Sequence, residues 1–192
     1  MKITETVLPE VKIIEPRIFR DARGYFFESW NSAEYSENGI DCRWVQDNES
    51  ASVYGVLRGL HYQKAPYTQA KLVRVIRGKV LDVAVDIRKN SPTFGRHVIV
   101  ELSADNHRQL FIPRGFAHGF AVLSDEAVFQ YKCDNFYMPS CECGIAPDDP
   151  ELQIDWQIPE NLRIMSEKDL KNPAFSEAEL FDFNTKDYLQ NV

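Results

Sequence analysis

Apolar and polar residues alternate in short runs along most of the chain, with glycine, proline and asparagine punctuating the gaps. Alternation of period two predicts β-strands with one buried face. Lys71–Ile76 (KLVRVI) and Val80–Ile87 (VLDVAVDI) flank the turn Arg77-Gly78-Lys79, which predicts a hairpin. Arg96–Leu102, Gln109–Ile112, Phe116–Leu123 and Ala127–Asp134 continue the pattern, around turns at Ser103–His107 and Pro113-Arg114-Gly115. Upstream, Val7–Phe19 reads as short strands interrupted by two prolines. Tyr25–Trp30 reads as a strand with an aromatic face and Cys42–Asn48 as another, joined through Ser50-Ala51-Ser52 to Gly55–Gln63 (GVLRGLHYQ). Asn31–Asn38 fits one or two helical turns stopped by Gly39. From Met138 to Pro159 the chain is irregular, and Leu162–Phe175 and Glu177–Phe183 predict short helices. Many short, evenly spaced strands predict an all-β barrel or sandwich. Residues 1–192 read as one domain with a helical C-terminal appendage over about 160–192.

The net charge of −7 argues against a general nucleic-acid or membrane-surface binder, while leaving room for a local cationic pocket. The N-terminus lacks the apolar core of a signal peptide, and no apolar run is long enough to span a bilayer. A cytoplasmic protein is expected, so Cys42, Cys133, Cys141 and Cys143 should be free thiols. Cys141-Glu142-Cys143 lacks the Cys-x-x-Cys spacing of a metal or redox pair.

The richest chemistry lies in Gly55–Gln63. Arg58 and His61 are three residues apart, so a regular strand puts them on opposite faces. A slip of one place at Gly59, as in a bulge, would bring them to one face. Histidine suits proton abstraction near neutral pH; the bland alternative is a core or surface His beside a solvated Arg. Arg23, Arg58, Lys71, Arg74 and Lys132 lie in or beside predicted strands, from which cations either enter the barrel or face solvent. Tyr131 and Tyr137 are core candidates, but a phenol in a pocket can also serve as an acid, and an exposed ring can stack on a base.

Ile112–His118 contains Pro-x-Gly-x-x-His, which resembles the second signature of cupin jelly rolls. Metal-binding cupins place a His-x-His upstream. Here that position reads His61-Tyr62-Gln63, and His97 and His107 fall outside the spacing, so a three-ligand metal site is not expected. In order along the chain come Arg23-Gly24-x-Phe26-x-Glu28, Gln46-Asp47-Asn48, Gly55–Gln63, Gln69-Ala-Lys71, Asp82–Arg88, Ser91–Gly95, Ile112–Phe120, Tyr131-Lys132 and Ser166–Asp169. Over nearly the whole chain this series resembles the dTDP-4-dehydrorhamnose 3,5-epimerase family.

The resemblance implies a cofactor-free, metal-free epimerase acting on dTDP-4-dehydro-6-deoxy-glucose. It implies His61 as base, Asp169 as the carboxylate that orients it, Lys71 beside the carbonyl oxygen and Tyr131 as the opposing acid. It implies nucleotide or sugar contacts from Arg23, Glu28, Gln46, Asn48, Arg58, Lys71, His118, Glu142 and Lys168, with Tyr137 stacking on thymine. It also implies a homodimer with exchanged N-terminal strands, in which Arg23 and Glu28 serve the neighbouring site. Ala146-Pro147 and the cysteines flanking Glu142 depart from the family pattern near the nucleotide. The alternatives are a carbon-3 mono-epimerase, a metal cupin such as a dioxygenase, and a non-catalytic sugar-nucleotide binder.

Overall fold

Strands that follow one another in sequence mostly fail to pair, because the chain crosses between two sheets at most of its turns. The computed structural model describes residues 1–189. Strands run over Lys2–Glu5 (β1), Lys12–Glu15 (β2), Phe19–Asp21 (β3), Gly24–Phe26 (β4), Gln46–Val53 (β5), Leu57–Gln63 (β6), Lys71–Arg77 (β7) and Lys79–Asp86 (β8). They continue over Arg88–Lys89 (β9), His97–Ser103 (β10), Gln109–Ile112 (β11), Phe116–Val122 (β12), Glu126–Cys133 (β13), Glu142–Gly144 (β14) and Phe181–Asp182 (β15). One sheet is ordered β1-β2-β11-β7-β13-β5 and the other β10-β8-β12-β6-β14. This is an all-β jelly roll, in line with the barrel or sandwich that the pattern predicts and with the resemblance to cupins.

The expected hairpin between Lys71–Ile76 and Val80–Ile87 is overturned: β7 pairs with β11 and β13, and β8 with β10 and β12. Gly78 is the corner between the sheets. Its φ is +76°, and a Cβ there would stand 2.0 Å from the Glu126 carbonyl oxygen, so the corner requires glycine.

Alternation along each strand sorts its side chains between two environments. Val73, Val75, Val80, Ala84, Phe116, Phe120, Val122 and Phe129 meet between the sheets. Leu57, Leu60, Tyr62, Leu81, Val83 and Val85 point out of the five-stranded sheet, where Ile145, Trp156, Phe175, Phe181 and Tyr188 cover them. The outer face of the six-stranded sheet is covered by Tyr35 and Ile40, packed on Leu72 and Phe111. The outer face of the five-stranded sheet is therefore covered by the C-terminal coil, and that of the six-stranded sheet is covered by the N-terminal segment around β7 and β11 but open along β5.

Four local expectations need correction. The strand expected over Tyr25–Trp30 stops at Phe26. The strand expected over Cys42–Asn48 starts only at Gln46, and Ser50–Ser52 belongs to it instead of joining strands. Small polar residues fit because Ser52 faces the interior, accepting from Arg58 at 3.2 Å. The C-terminal helices are absent from the described residues, which form single 3₁₀ turns at Glu160–Leu162, Asp169–Lys171, Phe175–Glu177 and Asp187–Leu189. Pro173 interrupts the first of the expected helices near its end. The helix at Ser32–Glu37 (α1) does form, capped by the Asn31 side chain and followed by Gly39 at φ +77°. Among the described residues, no helix is long and apolar enough to cross a membrane.

The irregularity in β6 positions the site. His61 lies opposite His118 on β12, but Arg58 lies opposite Phe120, so three residues of β6 span two of β12. Gly59 absorbs the extra residue at φ +135°. The slip puts Arg58 and His61 on the inner face and leaves Leu57 and Leu60 outside. The backbones touch here: a Cβ on Gly119 would sit 2.7 Å from the Arg58 carbonyl oxygen. Gly119→Ala should cost about 3 kcal/mol and lower the melting temperature by roughly 10 °C, measured by thermal unfolding.

Candidate active site

A cleft of about 290 Å³ opens between the two sheets, lined by Gln46, Asn48, His61, Gln63, Gln69, Lys71, Tyr131, Cys133, Tyr137 and Glu142. His61 comes from the five-stranded sheet, and Lys71 and Tyr131 come from the six-stranded one. A larger cavity, of about 870 Å³, lies elsewhere, between the coil at Asp41–Arg43 and the turns near Tyr188, and contains none of these catalytic candidates.

His61 Nε2 lies 2.5 Å from Asp169 Oδ1. Asp169 reaches it from the C-terminal coil, where its own amide donates to Ser166 Oγ at 3.1 Å. Burial, the largest single influence, pushes the Asp169 carboxyl up, but the hydrogen bond and charge of His61 together with hydrogen bonds from Ser166 and the Gly59 backbone hold the group below its usual range. An ionised Asp169 accepting Nε2–H leaves the His61 Nδ1 lone pair free to take a proton. The anchoring of this coil is tight: Ile164 exchanges backbone hydrogen bonds with Gly55 and Leu57 at 2.9 Å, and Ala146 donates to the Pro173 carbonyl at 2.8 Å.

Across the cleft, burial pushes the Tyr131 phenol up to about 12, so it holds its proton at neutral pH. The Lys71 Nζ lies 5.9 Å from the centroid of that ring. Among the described residues it makes no ion pair or hydrogen bond, and burial shifts it toward the neutral amine. An ammonium so placed is uncommitted until a ligand arrives.

At the cleft mouth Tyr137 is half exposed and donates its hydroxyl to Glu142 Oε2 at 2.5 Å. Glu142 also forms an ion pair with Lys168. Gln46 Oε1 accepts the Tyr137 amide at 2.9 Å, and Gln46 Nε2 donates to Asn48 Oδ1 at 2.9 Å. A flat aromatic ring, carboxylate and amides at one end, with an imidazole, ammonium and phenol at the other, suit a two-part ligand with a base and a carbonyl.

Residues 5–177 match the family model described as dTDP-4-dehydrorhamnose 3,5-epimerase. The chain belongs to that epimerase family. A curated dTDP-4-dehydrorhamnose 3,5-epimerase of Shigella flexneri is 53% identical over 182 residues, covering 94% of this chain and 99% of that protein. The solved dTDP-6-deoxy-D-glucose-3,5-epimerase of Legionella pneumophila, in complex with dTDP-4-keto-L-rhamnose, superposes with a TM-score of 0.91 at 50% identity, covering 95% of this chain and 98% of that one. A 3'-monoepimerase from Streptomyces bikiniensis, in complex with dTDP-quinovose, superposes at 0.83 with 33% identity, covering 90% and 87%. The cupin jelly roll and the isomerase class expected from the motifs are thereby established.

Not every residue implied by the resemblance to this epimerase family reaches the cleft in one chain. His61, Lys71, Tyr131, Gln46, Asn48, Tyr137 and Glu142 line it, and Asp169 and Lys168 each bond to a lining residue. Arg58 is exposed and donates to Ser52 Oγ at 3.2 Å. His118 is buried opposite His61 on the neighbouring strand, with Nε2 bonded to Asp82 at 3.0 Å. Arg23 and Glu28 do not line the cleft. Arg23 pairs with Asp21 at 2.6 Å in the exposed β3–β4 turn, and Glu28 lies near the Asn31 amide. Of the strand-borne cations, Lys132 bonds to Asp47 and Arg74 to Gln130 on the outer face. Gln63, Gln69, Cys133 and Asp82 were missed. Counting by two from His61 and Tyr131 would have found Gln63 and Cys133, whereas Gln69 lies on a loop with no such signal.

The four cysteines are free. Among the described residues, no group of three His, Cys, Asp or Glu side chains is arranged to hold a metal ion.

Proposed function

We propose that this chain converts dTDP-4-dehydro-6-deoxy-D-glucose to dTDP-4-dehydro-L-rhamnose by inverting carbons 3 and 5. The observation that carries this reading is the opposition of His61 and Tyr131 on facing sheets. The ketone at carbon 4 acidifies the protons on both neighbours. His61, oriented by Asp169, takes one of them, and the electron pair moves into an enolate on oxygen 4. The Lys71 ammonium stabilises that enolate more than the ketone, which lowers the barrier. Tyr131 then returns a proton from the opposite face, inverting the centre, and solvent resets both groups. The same cycle at the second carbon completes the product, and the reading uses no metal or cofactor.

Tyr137 stacks on thymine, while Gln46, Asn48, Arg58, His118, Glu142 and Lys168 hold the rest of the nucleotide sugar. The enzyme works as a cytoplasmic homodimer. The exposed rings of Phe19, Tyr25 and Phe26 on the β3–β4 hairpin support an exchanged arm that delivers Arg23 and Glu28 to the neighbouring cleft. Mixing Arg23→Ala with His61→Ala protein therefore restores one complete site per mixed dimer. Subunit exchange should bring activity to about a quarter of wild type, while either variant alone stays low. No recovery in mixtures shown to exchange would remove the shared site.

The reaction is tested by incubating the protein with the 4-keto sugar nucleotide in deuterated water and following carbons 3 and 5 by NMR. Deuterium at both carbons, in a product that a downstream reductase accepts, supports the double epimerase. Deuterium at carbon 3 alone makes it a mono-epimerase, and none at either carbon rejects the reading.

A further inference from the structure

Two residues beyond His61, β6 ends on Gln63, a buried amide at the cleft that the acid–base scheme leaves unused. Its Nε2 donates to the Tyr67 carbonyl at 2.6 Å and to the Phe136 carbonyl at 3.1 Å, and its Oε1 accepts the Met138 amide at 2.7 Å. Both N–H groups of the side chain are thereby used. The two peptide groups that flank Tyr137 are both held by this one residue. Gln46, from β5 in the other sheet, accepts the Tyr137 amide at 2.9 Å. The phenol of Tyr137 donates to Glu142, which is the residue opposite Gln63 on β14.

Tyr137 needs this support because its surroundings fix it weakly. The rings of Phe136 and Tyr137 are exposed, and both residues lie in irregular coil between β13 and the 3₁₀ turn at Pro139–Cys141. Such a coil buries too little apolar surface to hold one conformation by packing. Upstream, Asn135 donates to the Pro66 carbonyl at 3.1 Å and accepts the Phe136 amide at 2.9 Å, which anchors the coil as far as Phe136. From there the hold passes to Gln63 and Gln46. A buried amide resists losing its partners, because an unpaired polar group away from water is costly. The bonds of Gln63 therefore restrain the backbone on either side of the ring.

We propose that Gln63 is a positioning residue of the epimerase site, which holds the Tyr137 ring ready for the base of the incoming nucleotide. The proposal rests on the reading of Tyr137 as the partner on which thymine stacks. Without Gln63 the ring samples other positions, and binding must first gather it into the right one. That ordering costs affinity. Once the nucleotide is bound the ring is back in place, and His61, Lys71 and Tyr131 meet the sugar as before. Gln63 thus sets how tightly the nucleotide binds more than how fast the proton moves.

The test is a double-mutant comparison read by calorimetric titration with dTDP. Gln63→Met keeps the length of the side chain and loses all three bonds. It should weaken dTDP binding about tenfold, and Tyr137→Ala should weaken it about thirtyfold. With Tyr137→Ala already present, adding Gln63→Met should cost less than about twofold, because no ring is left to place. In turnover of the 4-keto sugar nucleotide, Gln63→Met should raise KM about tenfold and lower kcat less than about threefold. Unchanged dTDP affinity in folded Gln63→Met overturns the proposal. So does an equal loss in both backgrounds, which is what a general loosening of the cleft would give. Should Gln63→Met fail to fold, Gln63→Glu decides by the same comparison. It keeps an acceptor for Met138 and turns oxygens, in place of N–H groups, toward the Tyr67 and Phe136 carbonyls. Wild-type affinity in Tyr137→Ala would instead reject the stacking reading. Exchange of the Met138 amide hydrogen in Gln63→Met would then still decide whether Gln63 holds the segment: at least about tenfold faster if it does, and unmoved if it does not.

Discussion

His61→Ala should stop solvent deuterium from entering the sugar, with kcat reduced roughly 10³- to 10⁴-fold. The reason is local. His61 is the imidazole that lines the cleft, and its Nε2 is fixed at 2.5 Å from a carboxylate that is 4% exposed. Removing the ring leaves Asp169 ionised but behind the site, where it orients nothing. The nucleotide end is untouched, because the Tyr137–Glu142–Lys168 cluster and the Gln46–Asn48 pair make no bond to His61. Calorimetric titration with dTDP should therefore give an affinity within about twofold of wild type. Persistent exchange in His61→Ala would show that another group removes the proton.

Tyr131→Phe separates two events that the wild type performs together. His61 alone can remove a proton and return it to the same face, which exchanges deuterium without inversion. Delivery to the opposite face needs the phenol. Epimerised product should therefore fall about 10²-fold, while exchange into recovered substrate continues at a substantial fraction of the wild-type rate. The ring itself is retained, with its packing against Phe129 at 6.0 Å, so folding should be unaffected. Burial pushes the phenol up to about 12, so at lower pH it keeps its proton. The pH profile of kcat below about 10 should accordingly keep its shape in the variant. Equal losses of exchange and inversion would deny Tyr131 its separate role.

The strands were largely legible because alternation is a local signal and most runs are buried on at least one face. Pairing was not legible. Arg77-Gly78-Lys79 looks like a hairpin turn from either side, and only the three-dimensional corner against Glu126 shows that it passes the chain between sheets. Gln46–Val53 was misjudged at both ends because its inward positions are Gln, Asn and Ser, which suit a polar cleft and erase the apolar period. The slip at Gly59 was legible from the spacing of Arg58 and His61. Asp169 was not legible by spacing at all. It follows its partner by 108 residues and sits in a coil without periodicity, so only the resemblance to the epimerase family pointed to it.

The coil that covers the five-stranded sheet also carries Asp169, and this fixes the order in which a newly made chain acquires its properties. Synthesis runs from the N-terminus, so every strand that lines the cleft emerges before the carboxylate that orients His61. A chain stopped after β14 carries the lining groups of the cleft but an unoriented base. It also leaves Leu81, Val83 and Val85 without the cover of Trp156, Phe175 and Phe181, a surface that chaperones and proteases recognise. Unfinished chains are thus marked for removal by the same missing segment that leaves them inactive, and they do not persist as idle traps for the nucleotide sugar.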